Sequence, residues 1–199
     1  MKLTLPTGWQ EVTLEQFQQI QELAEDLNLT PIDYKLEVIS ILTGVDTITL
    51  SEMEVTSLNT VWSKLEWIKT TPKEKAVEYI AIGKRVFEVC YDVTKLTAGQ
   101  YIDLSHLLKE PKDAHKHYHE IMAALCKPIK LKWFFGYSTK YEGYAKYAND
   151  FKQVTMDKVF PVTAFFLQVW SGLMENMPNY LSETTRKIQE EIMTEIKNS

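Results

Sequence analysis

The sequence predicts a mainly α fold: a multi-helix bundle around a buried helix in the C-terminal half, with one small β-hairpin. Three features of the 199 residues predict it: one long apolar stretch, several helix-start signals and one glycine turn between β-rich segments. Hydrophobic residues make up 45% of the chain and aromatic residues 12%, a composition typical of a folded globular protein. We therefore expect a single mainly helical domain over residues 1–199.

The stretch Thr155–Met177 is the most apolar part of the chain. A helix that is apolar on nearly every side is buried in a protein core. Asp157, Lys158 and Pro161 interrupt the stretch, whereas a membrane span needs about 20 mostly apolar residues. We therefore expect a buried central helix with the other segments packed around it, and no membrane span.

Capping signals mark the starts of other helices. In a capping box, a Ser or Thr at the N-cap is followed three residues later by Glu or Gln, and both side chains bind free backbone N–H groups. Thr30-Pro31 is a further start, with proline at the first helical position, and Gly44 ends that helix. The boxes are predicted at Thr13/Gln16, at Ser51/Glu54 with a helix to about Lys69, and at Thr97/Gln100.

Residues 78–89, EYIAIGKRVFEV, predict a β-hairpin with a type II′ turn at Gly83-Lys84. The segment Ile129–Tyr137 alternates in part and fits either a short strand or an extended connection. Helices are predicted for Ala114–Cys126 and Tyr141–Lys152. Pairing about the turn places Ile80 opposite Phe87 and Ala81 opposite Val86.

Both ends of the chain are predicted to be segments able to contact a neighbouring molecule. Residues 1–12 form an extended arm that Trp9 anchors to the body. Residues 182–199 form a terminal helix with Ile192 and Ile196 on one side and charged residues on the others, which suits pairing with a partner helix.

Charge and cysteine content narrow the function classes. The net charge is −5, and 22 Lys and Arg are scattered among 27 Asp and Glu. A nucleic-acid-binding protein normally carries a basic patch, so we expect no nucleic-acid partner.

Cys90 and Cys126 match no Cys-x-x-Cys pattern and lie in apolar surroundings. Two buried free thiols suit a reducing cytoplasm.

The strongest candidates for metal ligands are His115, His117 and His119. On a helix His115 and His119 share a face, and two histidines four apart can start a zinc site. The further ligands of such a site are missing nearby, so a solvated helix start is preferred. Glu52 and Glu54 are interpreted as solvated carboxylates. We predict no enzyme, catalytic residue, metal or cofactor, with a metal-dependent enzyme using His115 and His119 as the alternative.

Three tyrosines of FFGYSTKYEGYAKYANDF are predicted to follow one side of a helix. Tyrosine is enriched at protein interfaces because it combines apolar area with a hydroxyl that tolerates water. An interface and an ordinary core edge explain them equally well. The predicted partner-binding residues are Trp9, Tyr141, Tyr144, Tyr147, Ile192 and Ile196.

Four motifs together carry a resemblance: GWQEVTLEQF, LTAGQYIDLSHLL, IMAALCKPI and YEGYAKYANDFKQVTMDKVFPVTAFFLQVW. Over most of its length the chain resembles small helical proteins from the structural modules of tailed bacteriophages, which are taken to be tail-assembly chaperones or minor virion components. These motifs are structural, so no functional residue is carried over.

The resemblance implies a non-enzymatic assembly factor or minor structural component of a phage tail or neck. Its partners would be other phage structural proteins, with a homo-oligomer as a further option. It would act in the host cytoplasm during assembly and could remain in the virion. A cytosolic adaptor protein, which binds one partner and enters no particle, is the other alternative.

Overall fold

The computed structural model describes residues 3–72, 77–109, 111–132 and 136–172. Residue contacts divide the chain into two compact units, Met1–Thr163 and Ala164–Ser199. The described part is mainly α with a small antiparallel sheet, as predicted. Its helices are α1 (Leu14–Glu25), α2 (Pro31–Thr43), α3 (Thr47–Ser51), α4 (Val55–Ser63), α5 (Ala98–Leu107), α6 (Tyr118–Leu125), α7 (Ala148–Phe151) and α8 (residues 156–172).

The capping boxes at Thr13 and Thr97 are confirmed. Each threonine accepts a hydrogen bond from the backbone N–H of its glutamine, three residues on, and the glutamine binds back. Thr30 forms a third box with Asp33, ahead of the proline that starts α2. The same helix ends at Gly44, whose φ of 72° is the left-handed conformation that glycine adopts most easily.

The capping box predicted at Ser51 is wrong. Asp46 caps a helix that begins earlier, because its carboxylate accepts the Thr49 N–H at 2.9 Å. Ser51 therefore lies at the end of α3, where its backbone is helical, and an N-cap needs an extended backbone. The next helix, α4, begins after Glu54, whose side chain makes no capping bond.

The glutamines of two boxes also join helices to each other. The Gln16 amide nitrogen donates to the Ile41 carbonyl in the last turn of α2, at 2.8 Å. The Gln100 amide nitrogen donates to the Ala124 carbonyl in the last turn of α6, also at 2.8 Å. Carbonyls at helix ends have no partner within their own helix, so each glutamine fixes an antiparallel helix pair at one end.

The predicted hairpin is confirmed, with the predicted register. Gly83 has a φ of 57°, while no residue other than glycine has a positive φ in the described chain, which fits the type II′ turn. The sheet is larger than the hairpin. The segment Ile129–Tyr137, for which the sequence allows either a short strand or an extended connection, overlaps two further strands. Its antiparallel order is β1 (Tyr79–Ile82), β2 (Arg85–Val89), β3 (Cys126–Lys132) and β4 (Gly136–Thr139).

The predicted C-terminal-half helix is α8. Its start is tied to the N-terminal segment: the Leu14 N–H donates to the Val154 carbonyl at 2.8 Å, and the Met156 N–H donates to the Val12 carbonyl at 2.9 Å. Within the first unit its buried residues are Met156, Val159, Val162 and Thr163.

Farther along α8, in the second unit, Phe165 is 42% exposed. Ala164 and Gln168 are exposed as well, so burial follows one face of the helix and not its whole circumference. Among the described residues, the structure shows no helix with both the length and the apolar character of a membrane span.

Candidate functional site

Trp9 lies in the fold and anchors the N-terminal segment. Its side chain is 9% exposed and packs edge-on against the rings of Phe17, Trp67 and Phe160, with centroids 5.2 to 5.9 Å apart. Its indole N–H donates to the Thr70 carbonyl at 2.8 Å. In the arm predicted for residues 1–12, the described residues 3–7 form no helix or strand, and a 3-10 turn follows at Trp9–Glu11.

The tyrosine segment is not the continuous helix predicted for Tyr141–Lys152. Gly143 has a φ of 87°, which a helix does not allow, so the chain forms a 3-10 turn at Tyr144–Lys146 before α7. Tyr141 and Tyr144 are half-buried, while Tyr147 is 6% exposed and packs edge-on against Phe87 at 5.2 Å.

Two carboxylates accept hydrogen bonds from the hydroxyls of Tyr141 and Tyr147. The Tyr141 hydroxyl donates to Asp103 on α5, and burial followed by this bond raises the pKa of Tyr141. Glu142 accepts hydrogen bonds from Lys130, Lys146 and Tyr147, and its side chain is 17% exposed. Lys130 and then Lys146 lower the pKa of Glu142 to about 2. These groups bind each other, which gives the segment a structural function.

Ile192 and Ile196, with the whole terminal helix predicted for residues 182–199, lie outside the described residues. Contact of these isoleucines with a partner stays a prediction, as do partner contacts by the tyrosines. The single domain predicted for residues 1–199 stays a prediction too.

His115 and His119 have different charged neighbours on α1. The predicted helix over Ala114–Cys126 is divided into a 3-10 segment, Pro111–His117, and α6. His115 Nε2 lies 3.2 Å from the carboxylate of Glu25 at the end of α1, whereas the charges acting on His119 include Glu15 at its start. His115 therefore has a carboxylate neighbour of its own within the fold.

No alternative ligand set appears in the part of the chain that the structure describes. Its His, Cys, Asp and Glu side chains form no group of three or more that could hold a metal ion. Cys126 is 1% exposed and Cys90 is half-buried, and both are free. Burial raises the pKa of both thiols, and a thiol with a raised pKa holds less of the reactive thiolate.

The helix α4 leaves part of its apolar surface exposed to solvent. Among its nine residues, Leu58 is the buried one. Val55 is 58% exposed, and Val61 and Trp62 are only half-buried. On the preceding α3, Ile48 is 77% exposed. Exposed large apolar side chains that lie together on a surface indicate an interaction site, and Ile48 and Val55 lie on consecutive helices.

A groove lies between α3 and α4 and has a volume of about 600 Å³. Its lining includes the carboxylates of Glu52 and Glu54 and no basic side chain. Neither carboxylate forms an ion pair among residues 3–72, 77–109, 111–132 and 136–172. We call this the α3–α4 groove. It is lined by Thr49, Glu52, Met53, Glu54, Thr56, Ser57, Thr60 and Val61.

A second groove, of about 400 Å³, lies on the other side of α4, against α1 and α2. Trp62 packs edge-on against Tyr34 at 6.0 Å, and the Lys35 ammonium lies 6.0 Å from the Trp62 ring. Burial raises the pKa of Tyr34. We call this the Trp62 groove. Its lining consists of Leu23, Ala24, Asp26, Leu29, Thr30, Pro31, Tyr34, Lys35 and Trp62.

The sequence predicted the apolar stripe of α4 but not its exposure. Periodicity identifies the side of a helix that is apolar, and it does not identify what covers that side.

Comparison with protein-family models, with curated proteins and with solved structures finds no match to this chain. Arguments about function therefore depend on the surfaces of the chain itself and on the motif resemblance. Of these surfaces, the two grooves beside α4 have volumes of about 600 and 400 Å³, and the exposed Leu27, Ile48 and Val55 adjoin their lining residues in sequence.

Proposed function

We propose that this protein is a non-enzymatic assembly factor or minor structural component of a tailed-bacteriophage virion, in the tail or neck, that acts by binding other structural proteins. The observation that carries the proposal is the exposure of two apolar side chains, Ile48 and Val55, next in sequence to residues that line the α3–α4 groove. The motif resemblance supplies the phage context, which the geometry does not address.

The α3–α4 groove has the composition of a binding surface. Apolar anchors surrounded by polar side chains are typical of protein interfaces. Met53 and Val61 line the groove among threonine, serine and glutamate side chains, and the exposed Ile48 and Val55 adjoin lining residues in sequence. A folded chain gains no stability from large apolar side chains that stay in water. Covering them with a partner removes that apolar area from water and stabilises the complex.

Charge indicates the chemistry of the partner. Glu52 and Glu54 bring two carboxylates to the groove, and a partner segment with Lys or Arg beside apolar side chains complements both features. Such a contact is partly electrostatic, so it weakens as salt screens the charges. The adaptor alternative would use the same surface and differs only in whether the bound protein belongs to the virion.

The test is co-expression of the tagged chain with each structural protein encoded beside it, followed by native mass spectrometry. We expect a defined complex with at least one of them. The double variant Ile48→Ser/Val55→Ser should weaken it at least about tenfold, since a few central apolar residues dominate most interfaces. Ile102→Ser on α5 is the matched control, because Ile102 is 55% exposed and distant in sequence.

A second pair of variants tests the charge. Glu52→Gln/Glu54→Gln should weaken the complex and reduce its salt dependence, while Glu22→Gln/Glu78→Gln, which removes the same charge from other exposed positions, should not. Absence of a complex with every neighbouring structural protein would contradict the proposal. A complex that tolerates all the groove variants would contradict the α3–α4 groove as its site.

A further inference from the structure

A cavity of about 410 Å³ lies at one end of the sheet. Its lining comes from the end of β2, the start of β3, the end of β4 and the chain that follows β2, which forms a 3-10 turn at Val93–Lys95. We call it the sheet cavity, and it is lined by residues 88–92, Lys95, Lys127 and Thr139. None of them lines the α3–α4 groove, so a ligand of this cavity is distinct from the proposed virion partner.

Glu88, Lys127 and Thr139 share the outer face of the sheet. Side chains alternate between the two faces of a strand, and both neighbours of Glu88 on β2 are buried, so Glu88 lies on the outer face. Lys127 is paired directly with Glu88 and shares its face. Thr139 of β4 shares it too, because its partner on β3, Ile129, is two residues from Lys127. One carboxylate, one ammonium group and one hydroxyl therefore come together on three adjacent strands.

These three side chains have no partner in the described chain, and all three are half-buried. Among residues 3–72, 77–109, 111–132 and 136–172, neither Glu88 nor Lys127 forms an ion pair, although they are cross-strand neighbours. The Thr139 hydroxyl has no hydrogen-bond partner among these residues either. A charge that has lost part of its hydration and has no partner is stabilised by a ligand group of opposite charge.

The other polar groups of the sheet cavity are bound within the chain. Lys95 Nζ lies 3.2 Å from the carboxylate of Asp92. The Tyr91 hydroxyl donates to the Val77 carbonyl at 3.0 Å, and the Cys90 thiol donates to the Asp92 carbonyl at 3.3 Å. The groups left for a ligand are therefore one anion, one cation and one hydroxyl.

We propose that the sheet cavity binds a free α-amino acid with an apolar side chain. Lys127 and Thr139 donate hydrogen bonds to its carboxylate, and Glu88 accepts them from its ammonium group. The volume of about 410 Å³ lies within the range of small-molecule pockets, and Cys90 and Tyr91 provide less polar contact area for the side chain of the ligand.

The two opposite charges in the cavity favour a zwitterion over a simple ion. An anion alone would pair with Lys127 and leave Glu88 without a partner, and a cation alone would do the reverse. Side chains directly opposite each other on neighbouring strands have Cβ atoms about 5 Å apart, so one small molecule can reach both. An α-amino acid carries its two charges close together and satisfies both groups at once.

The thiol of Cys90 lines the cavity and can report its occupancy. Cys126, the other cysteine of the chain, is 1% exposed. The purified full chain is treated with iodoacetamide at mildly alkaline pH, because burial raises the pKa of Cys90. Intact mass spectrometry then gives the rate of alkylation, and a ligand in the cavity should slow this rate.

Four probes test whether both charges are recognised. L-leucine and L-phenylalanine, in the millimolar range, should slow the alkylation of Cys90. Isocaproate lacks the amino group of leucine, and isopentylamine lacks its carboxylate. Each of these two should need at least about a tenfold higher concentration, because it loses charge-assisted hydrogen bonds.

Two variants test the residues that hold the ligand. Glu88→Gln and Lys127→Gln should each raise the leucine concentration for half-maximal slowing at least about tenfold. Lys84→Gln, in the exposed hairpin turn, is the matched control and should leave it unchanged. Lys127 also influences the Cys90 thiol, so rates with and without leucine are compared within each variant. Thermal unfolding should show the fold intact in all three.

Three results would overturn the proposal. Neither amino acid could slow the alkylation. Isocaproate or isopentylamine could act as well as leucine, which would mean that one charge alone is recognised. Slowing by leucine could persist unchanged in both variants, which would locate its site elsewhere. The first two results come from the wild-type chain and count whether or not a variant folds, and none of the three bears on the α3–α4 groove.

Discussion

The helices α4 and α6 are similar in length, but they differ in how many of their residues are buried. Of the eight residues of α6, Ile121, Met122, Ala123, Ala124 and Leu125 are buried in succession, so this helix is covered on every side over its second half. Of the nine residues of α4, only Leu58 is buried. The helix α6 is part of the core, whereas α4 leaves Val55 exposed to solvent.

The same substitution, isoleucine to alanine, should lower stability strongly on α6 and hardly at all on α3, the helix before α4. Ile121 is 0% exposed, so Ile121→Ala creates a cavity and should lower the free energy of unfolding by about 2 to 5 kcal/mol. Ile48 is 77% exposed, and Ile48→Ala should change it by less than about 0.5 kcal/mol. Urea denaturation measures both. Similar losses for the two variants would mean that α3 and α4 are part of the core.

A second variant tests how α6 is fixed at its end. Gln100 is 0% exposed and joins the start of α5 to the Ala124 carbonyl. Gln100→Glu keeps the capping acceptor but removes the donor and buries a charge, so we expect a loss of at least about 2 kcal/mol. The loss should shrink in acid, where the introduced carboxyl group is protonated and can donate again.

The comparison variant is Gln16→Glu, at the half-buried box of α1. Its loss should be smaller, since water can solvate the introduced carboxylate there. Equal losses at the two positions, or a loss at Gln100 that acid does not reduce, would contradict the proposed function of the glutamine amide.

Acid should destabilise the packing of α6 through His119. Burial, the largest cause, lowers the pKa of His119 below 6.5, and the nearby charges of Glu120, Lys152, His117 and Glu15 act in both directions. A group whose pKa is lower in the folded state binds protons more readily when unfolded. Stability should therefore fall as the pH drops below about 6.5. His119→Gln should flatten this part of the profile, and an unchanged slope would contradict it.

The smallest effect on stability is expected at the groove carboxylates. Glu52 and Glu54 are exposed and form no ion pair within the described chain, so Glu52→Gln/Glu54→Gln should change the free energy of unfolding by less than about 0.5 kcal/mol. Thermal unfolding measures this. A clear loss of stability would show that these side chains support the fold instead of facing a partner.

The sequence predicts structure well where the determining contacts are local. In the capping boxes of Thr13 and Thr97 the paired residues are three positions apart, and the hairpin turn at Gly83 has two residues. Both features can therefore be predicted from a short segment of sequence. The box at Ser51 fails for a local reason as well, because Asp46 offers a competing start. Several valid starts in one stretch cannot be ranked from pattern alone.

Features that depend on distant contacts were not predictable. The bond from Tyr141 to Asp103 joins two segments far apart in sequence, and it helps to hold a tyrosine segment that periodicity assigned to a helix. The exposure of Val55 depends on the absence of a covering element among the described residues, which the periodic pattern does not contain. The candidate surface therefore became visible only in the folded chain.

Hydrogen exchange, measured by mass spectrometry on the free chain and on its complex with a structural protein, tests most directly whether α4 is a binding surface. Amides in a thinly covered helix open easily, whereas those in the core open only with the whole protein. We predict fast exchange in α3 and α4 of the free chain, strong slowing there in the complex, and slow exchange in α6 in both. Unchanged exchange in α3 and α4, with protection appearing elsewhere, would contradict this function for α4.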